Sequence, residues 1–331
     1  MRATRLFLLV LAAAALATAV ETAPAAIRTG LAELTERLPA ATFVIKGQDD
    51  WYFLRSELRS YSCGRFWGAD AAKTARSAKD QDPLAAILAF HRMVSAAGIT
   101  LIVVPVPGKV AIYPDKVDAA FACADRWDEA HQAFLATLAE SQVLAIDLVP
   151  DFLSLRRGGV DPFAKQDSHW SPAGMRVAAE RIAALVMAQD WYGGIAKRKF
   201  PGHSASVEAR GDLVQMLNEE DVGPERFEVI RVPGADPDAA SPLVLLGDSH
   251  TLVYHDPTLL AEQAGLSDQL ASLLDMRLDL VGVKGSGANG SRAVLARRKD
   301  NLAGKKCLVW VFTAREFTES NDGWKVIPVI R

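Results

Sequence analysis

Apolar runs of four to eight residues, typical of buried strands, alternate along this chain with longer stretches that read as helices. Asp82-Pro83 opens a helix that continues through Ala97, with Pro83 in the first turn and Gly98 as its stop. Residues 99–106 follow as a buried strand that ends in Pro105-Val-Pro107-Gly108-Lys109. A helix over 126–141 leads to a second strand at 143–149, and Ser171-Pro172 starts a helix reaching about Gln189. Strand 243–246, helix 267–274, strand 278–283, a Gly-rich turn, helix 291–303 and strand 307–312 complete the series. That alternation predicts a mainly parallel sheet covered on both faces, a three-layer α/β/α domain. Residues 27–45 read as a short amphipathic or linker stretch, and the aromatic-rich segment 49–59 is expected to lay its rings on the domain. The stretch 193–240, rich in Gly, Pro and charge, reads as an insertion or cap within one domain over 26–331.

With 331 residues, 50% of them apolar, the chain can bury a large core. A net charge of −3 and a pI near 6.1 leave no broad basic field for nucleic acid. Arg156-Arg157 and Lys197-Arg198-Lys199 read as solvated surface. Arg2 and Arg5 precede an uncharged run from Leu6 to Val20, which exits through Ala17-Thr18-Ala19. This is the form of an export signal within 1–25, implying a periplasmic protein. The run is shorter than the ~20 apolar residues of a membrane span, although an uncleaved anchor in the inner membrane is the alternative. Of the three cysteines, Cys307 lies in an apolar run, whereas Cys63 and Cys123 lie in loop-like stretches and can pair in an oxidising compartment.

The chemistry concentrates in two motifs. Strand 243–246 breaks into Gly247-Asp248-Ser249-His250, and about eighty residues earlier stands Asp167-Ser168-His169-Trp170. Ser249 at a strand end exposes its hydroxyl at the carboxyl edge of a parallel sheet, where such sheets gather ligands. His169 is the natural base, and Asp167, two residues before it in an extended loop, can hold the imidazole tautomer. The Ser249 N–H and the Asn289 amide, in Gly285-Ser-Gly-Ala-Asn-Gly290, are candidates for an oxyanion site. Asp167-Ser-His169 also reads as an ordinary helix entrance with Ser171 as cap, which is compatible with catalysis. Gly285-x-Gly287-x-x-Gly290 imitates a dinucleotide fingerprint, but the following strand carries no acid where the ribose would need one. Asp167, His169, His250, His255 and Asp256 are of metal-ligating type but lack helical i, i+4 spacing, so neither a metal nor another cofactor is expected.

With these residues the chain resembles the alginate O-acetyltransferase family of AlgJ and the SGNH-like domain of AlgX. The resemblance runs through Asp50-Trp51-Tyr-Phe-Leu, Val104-Pro-Val-Pro-Gly-Lys109 with Tyr113-Pro114, and Asp167-Ser-His-Trp-Ser-Pro-x-Gly174. It continues in Gly247-Asp-Ser-His, Gly285-Ser-Gly-Ala-Asn-Gly-Ser-Arg292 and Val309-Trp-Val-Phe-Thr-Ala-Arg315, spanning roughly 45–318. Ordinary SGNH hydrolases place their Asp-x-x-His after the serine, so the order here is specific. Two positions depart from the family pattern: His250 after the serine, and the strand before Arg315, where a Glu commonly follows the Trp.

The resemblance implies an SGNH-hydrolase-like (flavodoxin-like) fold with a reordered triad of Asp167, His169 and Ser249. It also implies a periplasmic enzyme that acetylates an exopolysaccharide with acetyl groups from a membrane-bound O-acyltransferase (MBOAT) partner. Trp170, Lys109, Tyr113 and Arg315 are the expected acceptor-groove residues. Within the same chemistry stands an acetylesterase, and outside it a non-catalytic polysaccharide-binding subunit; fold alone does not separate them.

Overall fold

A computed structural model describes residues 24–331 except 124; the expected export signal falls almost wholly outside the described residues. The strands are β1 (Val44–Lys46), β2 (Tyr52–Leu54), β3 (Thr100–Val106), β4 (Leu144–Ala145), β5 (His203–Ala209), β6 (Glu225–Arg231), β7 (Leu243–Gly247), β8 (Asp279–Gly282) and β9 (Cys307–Thr313). Five of them form one parallel sheet in the order β4-β3-β9-β7-β8. The last strand of the chain lies at its centre, paired with β3 from Thr100↔Cys307 to Val106↔Thr313 and with β7 from Leu243↔Cys307 to Gly247↔Val311.

Central strands buried on both faces must be apolar throughout, and β7 and β9 are buried at every position. Successive side chains alternate between two cores. Ile102, Val104, Leu243, Leu245, Val309 and Val311 face one; Leu101, Val103, Val244, Leu246, Trp310 and Phe312 face the other. The first core packs against helix Pro172–Met187 through Ala178, Ala179 and Ile182 and against helix Leu266–Leu274 through Leu266, Leu270 and Leu274. The second packs against helix Pro83–Ala96 through Ile87 and Phe90, with Phe134 and Leu138 of helix Glu129–Glu140 beside them. The three-layer α/β/α expectation therefore stands. Each fully buried large aliphatic or Phe side chain contributes about 1.5–3 kcal/mol.

Helix entrances follow local chemistry. The Asp82 carboxylate accepts from Leu84 N at 3.0 Å ahead of Pro83, and Ser171 Oγ accepts from Gly174 N at 3.2 Å ahead of Pro172. Residues 24–37 form a helix, the amphipathic one of the two readings, with Ile27 and Leu31 in the core. Two expectations change. The strand expected over 143–149 shrinks to β4, because Val149 enters a helix, Val149–Arg157, whose Phe152 buries against the first core. Cys63 and Cys123 are both free thiols, hydrogen-bonded to the carbonyls of Arg59 and Asp125. Residues 193–240 hold the antiparallel β5–β6 hairpin, whose connection contains the short helix Asp212–Leu217. Among the described residues, no helix is long and apolar enough to cross a membrane.

His131 is buried in an aromatic cluster, stacked on Tyr61 at 4.2 Å and beside Phe66 and Phe317. Burial pushes its pKa down to about 4. A depressed folded pKa confers stability above the unfolded value of about 6.5 and loses it as pH falls towards the folded value. His131 should therefore contribute a loss of about 3 kcal/mol to unfolding stability between pH 6.5 and 4. Denaturant unfolding of His131→Phe should lack that contribution relative to the parent, and an unchanged slope in this variant would refute the assignment.

Candidate active site

The carboxyl ends of β7 and β9 build the site. Gly247 is the last residue of β7, and a Cβ there would collide with the Val311 carbonyl and the Thr251 side chain, so only glycine lets the strands close. The chain then turns into a 3₁₀ turn over Ser249–Thr251. Asp248 is buried and fixes that turn. Its Oδ1 accepts from His250 N at 2.9 Å and from His250 Nδ1 at 3.1 Å, and its Oδ2 accepts from Thr313 N at 2.9 Å across the sheet. Burial opposes ionisation, but His250 and these N–H donors outweigh it and hold the Asp248 carboxyl down at about 2.

The turn leaves Ser249 half-exposed with its Oγ 2.7 Å from His169 Nε2. His169 Nδ1 lies 2.6 Å from Asp167 Oδ1, which also accepts the His169 N–H at 3.0 Å. The structure thus brings Asp167, His169 and Ser249, named from the sequence, into one hydrogen-bonded chain. Burial disfavours the charged form of each partner, but their mutual attraction wins: Asp167 is held at about 2 and His169 is raised above its ordinary value. With Asp167 ionised, Nδ1 carries the proton and Nε2 is free to accept one from Ser249. Among the described residues, the Ser249 N–H has no hydrogen-bond partner, so it is available to an oxyanion.

The loop bearing Asp167 and His169 is held from below by Lys109. Its buried ammonium donates to the carbonyls of Asp167 at 2.7 Å, Tyr52 at 2.9 Å and Lys165 at 3.1 Å. The Glu225 carboxylate accepts from the backbone of Lys165 and Gln166. Asp212 meets the loop from the β5–β6 connection: its N–H donates to Asp167 Oδ2 at 2.9 Å, and its carboxylate accepts from Ser168 N at 2.7 Å and Ser168 Oγ at 2.5 Å. The ligand-type atoms of Asp167, His169 and Asp212 lie within 4.8 Å of one another. The carboxylate oxygens of Asp167 and Asp212 accept hydrogen bonds from protein groups, and His169 uses both ring nitrogens, towards Asp167 and Ser249, so the group is joined as a hydrogen-bond network.

Four expected roles are corrected. Trp170 is fully buried, edge-on to His250 at 5.2 Å, with its carbonyl accepting from Tyr254 OH. Lys109 supports the loop and faces no solvent. Tyr113, also buried, packs against Trp51 with the rings tilted and their centroids 3.9 Å apart, and donates to Asp161 at 2.7 Å. The Asn289 amide donates to Gly323 O at 2.6 Å, and its oxygen accepts from Arg292 and from Lys325 N, so it ties a helix to the C-terminal segment instead of facing an oxyanion. Arg315 is half-exposed near the end of β9 and donates to Thr313 Oγ1 at 3.1 Å. A cleft of about 330 Å³ opens beside His169 and Asp167, lined also by Arg210, Asp212, Gln215 and residues 257–260. Sequence reasoning missed Asp212 and Arg210, which sit in a charged stretch with no motif to mark them.

Residues 44–314 match the family model described as ALGX, the SGNH hydrolase-like domain of acetyltransferase AlgX. The "Probable alginate O-acetylase AlgJ" of Pseudomonas fluorescens is 28% identical over 123 residues, 37% of this chain and 31% of that protein. The same-named protein of Pseudomonas putida is 27% identical over 175 residues, 53% of this chain and 42% of that one. The matches thus span less than half the length of these curated relatives. Among solved structures, the O-acetyltransferase domain of Pseudomonas putida AlgJ superposes with a TM-score of 0.63 at 21% identity, covering 84% of this chain and 93% of that one. Pseudomonas aeruginosa AlgX gives 0.62 at 17% identity, covering 86% of this chain and 65% of that one. At those identities the structural likeness establishes the fold.

Asp248→Ala would leave the buried Thr313 N–H and the His250 ring without their acceptor. Urea unfolding should show a loss of about 2–4 kcal/mol, and a loss below 1 kcal/mol would show that Asp248 is not the tie between β7 and β9.

Proposed function

The chain belongs to the family of the SGNH hydrolase-like acetyltransferase domain of AlgX, and on that premise we propose that it is an O-acetyltransferase working through an acetyl-serine on Ser249. The observation that carries the reading is the unbroken chain Asp167–His169–Ser249 at the carboxyl edge of the sheet. Ser249 Oγ attacks the acetyl carbonyl of the donor while its proton passes to His169 Nε2. Asp167 steadies the imidazolium through the Nδ1 proton, and the Ser249 N–H meets the developing oxyanion. Collapse breaks the bond to the donor's leaving group, which departs with the proton from Nε2. In the second half, a sugar hydroxyl gives its proton to Nε2 as its oxygen attacks the acetyl carbon, and Ser249 Oγ leaves and regains that proton.

The acceptor in this proposal is an exopolysaccharide, alginate-like or another glycan, entering by the cleft beside His169. For transfer to outrun hydrolysis, the occupied cleft must limit water at the acyl carbon. We place the protein in the periplasm, exported by its N-terminal apolar run and held at the inner membrane if that run stays uncleaved; a membrane-bound O-acyltransferase is the proposed acetyl supplier. These assignments rest on the sequence of residues 1–25 and on the family resemblance.

Incubation with an activated acetyl ester should leave an acetyl adduct on the Ser249 peptide by mass spectrometry, absent in Ser249→Ala. With an oligosaccharide present, the acetyl group should move to sugar. An active preparation without the adduct defeats the mechanism, and release to water alone, with acceptor saturating, makes the protein an esterase.

A further inference from the structure

Asp167 and His169 are separated by one residue on a loop outside regular secondary structure, and such a loop does not by itself fix two side chains to a common geometry. The backbone of residues 211–213 is zipped along 166–168. Leu213 N donates to Gln166 O at 3.1 Å, Asp212 N donates to Asp167 Oδ2, and Ser168 gives both its N–H and its hydroxyl to the Asp212 carboxylate. The approach is so close that a Cβ at Gly211 would collide with the Gln166 carbonyl group and with Asp167 N. The two oxygens of Asp167 are thereby divided: Oδ1 serves His169, and the hydrogen bond on Oδ2 comes from Asp212.

We propose that Asp212 is a positioning residue of this site, a fourth member that clamps Ser168 and orients the Asp167 carboxylate so that His169 keeps one geometry and one tautomer. It touches no reacting atom and acts through Asp167 and His169. A second consequence is electrostatic. The charges facing His169 come from Asp167 on its own loop, Asp212 on the hairpin insert and Asp248 at the end of β7, with the His250 ring 4.8 Å away. Facing Asp212 are Asp167, His169 and the Lys109 ammonium. Burial and the Asp167 charge raise the Asp212 pKa, while the negative charge of Asp212 favours protonated His169. The β5–β6 connection thus supplies part of the orientation and part of the basicity of the catalytic histidine, alongside Lys109, Asp167 and Asp248.

The role rests on the acetyl-serine reading only for its kinetic readout, so two measurements are paired on the full chain. In the first, p-nitrophenyl acetate reports acylation. Asp212→Ala should lower kcat about 10- to 100-fold with KM little changed, as expected when a reacting group is misplaced. Asp212→Asn retains the backbone N–H and one acceptor for Ser168 and should recover much of that loss. In the second, NMR titration follows the His169 ring and its Nδ1 proton without any turnover. Asp212→Asn should move the His169 midpoint to lower pH, because a facing negative charge is gone, and Asp212→Ala should broaden the Nδ1 proton signal. Ser168→Ala, which removes only one hydroxyl from the clamp, should lower kcat severalfold and carries the test if Asp212→Ala does not fold. Wild-type kcat, midpoint and proton signal in Asp212→Asn and Ser168→Ala overturn the proposal. If wild-type protein forms no acetyl adduct, the acetyl-serine reading fails, while the titration still decides on Asp212.

Discussion

A carboxylate inside a protein stays charged only where donors replace the water it has lost; otherwise the cost reaches several kcal/mol. Asp248 meets that condition at the join between two central strands. Its oxygens take the backbone and ring N–H groups of His250 and the N–H of Thr313, so the end of β7 is tied to the end of β9 where Ser249 leaves the sheet. Because β9 also pairs with β3 along its whole length, the tie fixes the turn to the middle of the sheet. Rotating the Asp248 side chain would strand a buried N–H and release the backbone that aims Ser249 at His169. The rest of the site is arranged around that fixed hydroxyl.

The partner loop is fixed by different means. It has no strand to follow, and its hydrogen bonds come from three directions: Lys109 beneath, Glu225 on β6, and Asp212 from the connection of the β5–β6 hairpin. Hydrogen bonds involving a charged partner contribute about 1.5–3 kcal/mol each, more than neutral ones. The Asp50-Trp51-Tyr52 segment takes part as well, because Tyr52 N donates to Lys165 O and Tyr52 O receives Lys109. The Asp167–His169 loop is therefore preorganised by segments scattered from residue 52 to residue 225.

Several roles assumed for polar and aromatic residues near the motifs failed for one shared reason. Trp170, Tyr113 and Lys109 each carry a polar tip on a large body, and such residues occur equally at binding surfaces and in well-satisfied cores. Nothing in their immediate neighbours distinguishes the two. Lys109 follows a strand and a Pro-Gly turn, as a ligand-binding lysine would, yet the fold closes β2 and the loop bearing Asp167 and His169 over it. Asn289 reads from the sequence as part of a Gly-rich turn suited to an oxyanion site, but it lies in helix Gly287–Arg297, and the C-terminal segment returns to occupy both ends of its amide. The strand expected at 143–149 ends at Ala145, and Val149 and Phe152 bury in the first core as part of helix Val149–Arg157.

What the sequence by itself determined are the features written in short-range pattern. Continuous apolar runs between amphipathic helices specify a sheet buried on both faces. Proline and serine mark the helix entrances, and a serine just past a strand end must stand at the sheet's carboxyl edge. The identity of the histidine and its aspartate follows from their two-residue spacing, and their position ahead of the serine set them apart from ordinary SGNH esterases. Only the tertiary structure decided who holds them: Asp212, some forty-five residues beyond Asp167, and Lys109, some fifty-eight before it. A periodicity reports the environment of one element, whereas a hydrogen-bond partner is chosen when distant segments pack and each buried polar group must find whatever donor or acceptor lies within about 3 Å.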